Sequence, residues 1–302
     1  MKHKSGSRGH HHSHEPHELV EQVMAQHAPK EFLFTPADFE RVRGLIYDRA
    51  GISLGAGKQE MVYSRLSRRL RTLGVPSFTD YLNRLEADTH GGEWEHFTNA
   101  LTTNLTSFFR EPHHFPVLAE HVQAQPRETI DVWCCASSTG EEPYTIAITL
   151  CEAFGSLTPP VRILATDIDT QVLAKASAGI YPVDRISGLS EERRKRFFLR
   201  GKGPQSGYVR MRPELRRLIN FERLNLLDNN WGAKGPYHAI FCRNVMIYFD
   251  KPTQARILSR FAPLLKSDGL LFVGHSENLS FITTEFSLVG KTVYRGTRGQ
   301  RS

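Results

Sequence analysis

The sequence predicts an α/β protein: an all-helical N-terminal domain, then a doubly wound domain with a small inserted β-subdomain. Three observations carry this. From Thr35 to about His121 apolar residues recur at helical spacing, whereas from Ile130 onward short apolar runs alternate with helical patterns. Such alternation implies a mostly parallel sheet. Next, Asp131–Tyr144 (DVWCCASSTGEEPY) reads as a buried strand, a loop of small residues and a helix with Pro143 in its first turn. Doubly wound folds build a nucleotide pocket this way, at the strand's C-terminal end. Last, the interval from Asp169 to Leu218 exceeds one crossover helix. Its Gly- and Pro-containing stretch Arg200–Met211 ends in alternating apolar residues, which reads as a hairpin.

Residues 1–30 are polar and His-rich, with His10, His11, His12, His14 and His17. Such a tract can bind metal, but the composition favours a disordered, solvated tail. The helical domain and its linker are expected over 31–123. Thr35 offers an N-cap with Pro36 at the first helical position. A second helix spans about Gly57–Leu73, a third starts near Ser77, a fourth covers Trp94–Leu105, and another passes through Pro116–Gln123. On the second helix Val62, Leu66, Leu70 and Leu73 form one stripe at about 100° per residue. Lys58, Arg65, Arg68 and Arg69 form a neighbouring stripe, with Glu60 the only acid. That stripe is either a solvated face or a docking surface for an acidic partner.

The doubly wound domain is expected over 124–302, with the insertion at about 179–215. Its strands are expected at Ile130–Ala136, Val161–Thr166, Leu218–Leu224, Tyr237–Cys242, Gly269–Gly274, and near Phe286–Leu288 and Thr292–Arg295. Across 302 residues no apolar run approaches the roughly 20 of a transmembrane helix, and the N-terminus lacks the apolar region of a secretory signal. Cys134, Cys135, Cys151 and Cys242 show no C-x-x-C pairing, which suits reduced thiols in a cytoplasmic protein. A formal charge of +7 fits an acidic partner.

Ligands of such sheets lie across the strands' C-terminal ends. The first loop is neither G-x-G-x-x-G nor a Walker A loop, and its acids argue against a phosphate ligand. Carboxylates there suit hydroxyls and positive charge, both present in S-adenosylmethionine (SAM). The strand ends bear polar groups in turn: Ala136 with Glu141 behind it, Asp167 before Ile168, Asn225 with Leu226, and Arg243-Asn244 followed by Tyr248. An acid placed like Asp167 commonly accepts ribose hydroxyls. Asn225 either reads an adenine edge or caps a turn. Thr102–Arg110, with hydroxyls, Asn104, two Phe residues and Arg110, suits a lid.

These motifs resemble a known family. LTTNLTSFFR (Leu101–Arg110), STGEEPYTIA (Ser138–Ala147), TDIDT (Thr166–Thr170), AIFCRNVMIYFDK (Ala239–Lys251) and GHSEN (Gly274–Asn278) occur in the order found in the CheR proteins, the chemotaxis receptor glutamate methyltransferases. The resemblance runs from about Thr35 to Tyr294 and departs slightly at Cys134-Cys135-Ala136-Ser137-Ser138, where Ala and Ser are usual. It implies a class I SAM-dependent methyltransferase (Rossmann-like) domain behind the helical one, and transfer of the SAM methyl to receptor glutamates, leaving S-adenosyl-L-homocysteine (SAH). It implies SAM contacts at Asn104, Thr106, Arg110, Ala136, Glu141, Asp167, Ile168, Asn225, Leu226, Arg243, Asn244 and Tyr248, with Arg110 and Tyr248 near the reacting methyl. Gly201, Gly203 and Gly207 match the spacing in members that tether to a receptor's C-terminal pentapeptide. Arg65, Arg68 and Arg69 match the surface facing the receptor's methylation helices. The partner is thus the cytoplasmic part of a receptor, approached by a monomer that reaches the membrane only through it.

No metal is expected, since His113 and His114 are adjacent rather than at i,i+4. A nucleic-acid methyltransferase is one alternative; those that methylate amino groups of bases carry Asn/Asp-Pro-Pro-Tyr/Phe after the fourth strand, where this chain has Arg243-Asn244-Val245-Met246. A SAM-sensing adaptor without activity is the other alternative, and intact Arg110, Asp167 and Tyr248 speak against it.

Overall fold

The computed structural model describes residues 30–125 and 128–297. The His-rich stretch of the tail lies outside them.

Helix α1 (Pro36–Ala50) starts where the sequence signals it. Thr35 accepts from the Asp38 amide, Asp38 reaches back to the Thr35 amide, and Pro36 fills the first turn. A 3-10 turn (Ala56–Lys58) leads into α2 (Gln59–Leu73), which stops at Gly74 in a left-handed conformation. Ser77 caps α3 (Phe78–Ala87), and α4 (Glu93–Leu101) completes the domain. The apolar stripes of these helices meet in one core in which Val42, Ile46, Val62, Leu66, Leu70, Phe78 and Phe97 are fully buried. Truncating Leu66 to Ala there would cost about 2–5 kcal/mol.

Helix α4 ends at Leu101, four residues before the sequence suggests. Arg65 donates to the carbonyls of Ala100 and Thr102, so these need no further helical N–H. Asp169 accepts from Thr102 and Asn104 and draws the chain out across the second domain.

That domain contains α5 (His114–Gln123), β1 (Ile130–Cys135), α6 (Glu141–Ala153), β2 (Val161–Asp167), α7 (Thr170–Ala178), β6 (Ile219–Arg223), β7 (Tyr237–Cys242), α10 (Lys251–Phe261), β8 (Leu265–Val273), β9 (Phe286–Gly290) and β10 (Val293–Gly296). The strand order is β6-β2-β1-β7-β8-β10-β9. The first five are mutually parallel, and β10 and β9 add an antiparallel edge. Alternation sorts the side chains. Val132, Cys134, Ala239, Phe241, Leu270 and Phe272 enter the core shared with α5 and α6. Trp133, Cys135, Ile240, Cys242, Leu271 and Val273 enter the core shared with α10. All four cysteines are free and buried. Burial raises the pKa of Cys134 and Cys135, so their thiols act as small apolar groups.

Between α7 and β6 lies the insertion: β3 (Ile180–Pro182), α8 (Glu191–Phe197), β4 (Phe198–Arg200), β5 (Tyr208–Met211) and α9 (Pro213–Arg217). The hairpin read from the sequence is β4–β5, and β3 adds a third antiparallel strand, giving the order β3-β5-β4. Phe108 of the linker packs edge-on against Tyr181 and Phe198, fixing this small sheet to the domain. No helix among the described residues is long and apolar enough to cross a membrane.

Candidate active site

The parallel strands deliver their C-terminal ends to one edge, and the linker and helical domain cover it. At the end of β1 the backbone turns through left-handed Ala136 and Ser138, where small side chains keep the crowding low. The end of β2 fixes this loop. Asp167 accepts from the amides of Ser138 at 2.8 Å and Asp169 at 2.9 Å. Burial pushes the Asp167 carboxyl up to about 6 despite these bonds.

The linker is held along its length. Asp169 Oδ1 caps α7 through the amides of Gln171 and Val172, while Oδ2 accepts from Thr102 and Asn104. Ser138 Oγ donates to the Asn104 carbonyl at 3.1 Å, and Arg185 of the insertion donates to the Thr106 carbonyl at 2.8 Å. Arg110 Nη1 donates to the Leu105 carbonyl at 2.9 Å. Arg243, whose side chain is fully buried, donates to the Arg110 carbonyl and lies 3.4 Å from Glu142 and 3.8 Å from Glu111.

One cavity runs between these groups. Of the twelve residues expected around a cofactor, all line it except Glu141. That carboxylate is buried away, accepting from the Thr139 hydroxyl at 2.6 Å and pairing with Arg185. Its neighbour Glu142 lines the cavity instead, and burial raises its pKa. Two adjacent acids at a helix start mark the place, but only the helix phase decides which one faces in. Asn225 also differs from the adenine-edge reading. Its amide donates to the Arg49 carbonyl at 2.8 Å and its oxygen accepts from the Leu227 amide at 3.0 Å, a turn and an interdomain tie.

The helical domain supplies the rest of the wall through Ala50, Ile52, Ser53, Leu54, Lys58 and Met61. Sequence reasoning placed Lys58 on the basic stripe of the second helix and missed the others, which no local motif marks. The Ser53 amide donates to the Tyr248 carbonyl at 2.8 Å, and Tyr47 Oη donates to Asp250 at 2.6 Å.

The donor set suits SAM. Asp167 and Glu142 offer acceptors for hydroxyls or positive charge, Arg110 offers a cation for a carboxylate, and Ile168 and Leu226 give apolar surface. Arg243 Nε is buried without a hydrogen-bond partner among the described residues.

Comparison with known proteins agrees. Residues 37–102 match the CheR methyltransferase all-alpha domain, and residues 104–295 match the CheR methyltransferase SAM binding domain. The chain belongs to the CheR methyltransferase family. Among CheR relatives, the chemotaxis protein methyltransferase of Klebsiella aerogenes is 58% identical over 275 residues, covering 91% of this chain and 93% of that one. That of Escherichia coli is 54% identical over 258 residues, covering 85% and 90%. Chemotaxis protein methyltransferase 2 of Pseudomonas aeruginosa is 53% identical over 267 residues, covering 88% and 95%.

Within this CheR chain the residues expected to meet a receptor are unequal. Arg65 is spent on the Ala100 and Thr102 carbonyls, and Arg69 makes a two-pronged pair with Glu93 at 3.0 and 2.6 Å. Arg68 is exposed and makes no ion pair among the described residues. Gly201 lies at the end of β4 against the Gln205 carbonyl. Gly203 and Gly207 take positive φ in the β4–β5 loop, so the glycine spacing shapes this hairpin. Glu111, His113 and His114 bring potential metal-ligand atoms within 4.8 Å of one another. Burial first, then the charge of Arg243, hold His114 down to about 3, and its Nε2 meets Thr292 Oγ1 at 2.8 Å. Arg243 already supplies positive charge beside this cluster.

Proposed function

We propose that the protein transfers the methyl of SAM to glutamate side chains of methyl-accepting chemotaxis receptors, giving glutamate methyl esters and SAH. The single observation that carries this reading is one cavity that takes Arg110 and Tyr248 together with Asp167, Asn244 and the other strand-end residues. That the CheR relatives are chemotaxis protein methyltransferases supports chemotaxis as the setting.

A glutamate with its ordinary pKa of about 4.3 is ionised at neutral pH, so no general base is needed. When bound, SAM supplies a methyl on a sulfonium: the carboxylate oxygen forms the C–O bond as the C–S electron pair returns to sulfur. The chain's task is alignment and partial removal of water. Good alignment lowers such barriers by several kcal/mol, up to about 7–11 in favourable cases. Arg110 orients the incoming carboxylate or holds the carboxylate of SAM. Tyr248 packs beside the methyl and fixes its direction. Asp167 takes the ribose hydroxyls. No metal enters this scheme.

The partner is the acidic methylation region of a receptor's cytoplasmic domain, met by Arg68 and the basic face of α2. The β4–β5 hairpin, with Gly201, Gly203 and Gly207, is the place for a receptor's C-terminal peptide. The enzyme acts as a cytoplasmic monomer. The test is methyl transfer from labelled SAM to receptor-bearing membranes, read as methanol released by base, with and without the receptor's C-terminal peptide. Base-labile label on the receptor supports ester formation. Base-stable label, or none across several receptors, overturns it.

A further inference from the structure

The GHSEN segment, Gly274–Asn278, follows β8 and is left unused by the scheme above. Its acid, Glu277, is buried. Glu277 Oε2 accepts from the Gly274 amide at 2.5 Å and the Asn244 amide at 2.9 Å. Burial raises the pKa of Glu277, and the Gly274 and Asn244 amides oppose that shift. The 3-10 turn Met246–Tyr248 begins two residues after Asn244, so Glu277 holds the chain just before that turn from a segment distant in sequence.

The turn needs such a hold. Asn244 is left-handed, with φ of 57°, which costs a non-glycine residue free energy unless its surroundings impose it. Asn244 also presses on Gly274, where a Cβ would come within 2.3 Å of Asn244 Nδ2. That amide nitrogen donates in turn to Glu111 at 3.1 Å, which His275 meets at 3.0 Å. Two segments distant in sequence, at Glu111 and at Gly274–Glu277, therefore close on Asn244, two residues before the turn carrying Tyr248.

We propose that Glu277 is a positioning residue for methyl transfer: its carboxylate sets the Asn244–Tyr248 turn and through it the placement of Tyr248. This rests on the reading that Tyr248 acts beside the reacting methyl. Glu277→Gln keeps the shape but turns an acceptor-only group into one with donors that face backbone N–H groups.

The experiment is a double-mutant cycle of Glu277→Gln and Tyr248→Ala, with kcat counted per SAH-binding site so that misfolded protein does not enter. Glu277→Gln should lower kcat by about 10- to 100-fold while SAH affinity changes by less than about threefold, a split that general loosening would not give. In the Tyr248→Ala background the same change should cost less than about twofold. Multiplying losses, or an unchanged kcat for Glu277→Gln beside a reduced one for Tyr248→Ala, would overturn the inference and leave the Tyr248 reading standing. An unchanged kcat for Tyr248→Ala would overturn that reading and this inference with it. If Glu277→Gln yields no SAH-binding protein, Glu277→Asp, which keeps the charge one methylene short, carries the same cycle.

Discussion

The two walls of the cavity are built differently. On the sheet side the polar groups are fixed in advance: Asp167 by two amides, and Arg243 between Glu142, Glu111 and the Arg110 carbonyl. On the helical side the lining is Ala50, Ile52, Leu54 and Met61 with Ser53 and Lys58, tied to the sheet domain by bonds such as those of Ser53, Tyr47 and the Arg49 carbonyl. Directional chemistry needs groups whose reorganisation is complete before reaction. Enclosure needs only shape and the exclusion of water. The contrast assigns chemistry to one wall and closure to the other, and variants on each should differ in size and kind.

The largest effect is expected at Arg110. Arg110→Ala should lower kcat/KM for receptor methylation by about 10²–10³. The melting temperature should barely move, because among the described residues the Arg110 guanidinium holds only the Leu105 carbonyl. Parallel loss of SAH affinity would assign Arg110 to the carboxylate of SAM. Loss confined to turnover and receptor KM would assign it to the incoming glutamate. Unchanged turnover would break the contrast.

Asp167 comes next, through pH. Burial raises its pKa from 3.8 to about 6, against the bonds from Asp169 and Ser138. A raised carboxyl pKa means the fold favours the protonated form. The stabilisation is complete below the unfolded value of 3.8 and is lost as pH rises through about 6. Ligand hydroxyls favour the ionised form, so SAH should bind about tenfold more tightly at pH 7 than at pH 5. Asp167→Asn should remove that dependence and weaken binding at pH 7. Calorimetric titration across this range checks both, and an equally steep profile in the variant would show that another group titrates.

On α2, Arg68→Ala should raise receptor KM by about threefold at low salt, less as salt screens it, and leave stability within about 0.5 kcal/mol. Arg69→Ala should instead cost about 1–3 kcal/mol of stability, since Glu93 and the Tyr81 hydroxyl on it lose their cation. Denaturant melts and receptor kinetics on the two variants separate docking from support. Equal behaviour would show that the stripe acts as one surface.

Much of this was legible in sequence, for reasons visible in particular elements. Strands such as β7 are short, mostly apolar runs, buried along their whole length and set between flanking breakers, and α1 announces itself with Thr35, Pro36 and Asp38. The strand-end rule brought Asp167, Arg243, Asn244 and Tyr248 to one cavity. Long-range partners hid the rest. The start of β8, four residues before the expected Gly269, is masked by Lys266, Ser267 and Asp268, and β3 is only three residues long. The end of α4 is decided by Arg65 and Asp169, neither of them in that helix. The choice of Glu142 over Glu141 depends on helix phase against Arg185 and Arg243. Nothing in the Gly51–Gly55 turn marks it as a cavity wall, because its role arises only when the helical domain meets Tyr248.

The smallest effect is the sharpest test of the closing wall. Tyr47 Oη donates to Asp250 Oδ2, whose other oxygen caps α10 through the Thr253 amide. Tyr47→Phe removes one solvent-exposed bond between the domains and leaves every polar group on the sheet wall in place. Exposed bonds of this kind hold weakly. The variant should therefore release SAH no more than about twofold faster, with kcat per site unchanged, as followed by displacement of a fluorescent SAH analogue. If the helical wall only encloses, loosening one tie changes how long the ligand stays and nothing else. A tenfold fall in kcat would mean that closure also places reacting groups, most directly through the Ser53 bond to the Tyr248 carbonyl, and the division of labour between the walls would fail.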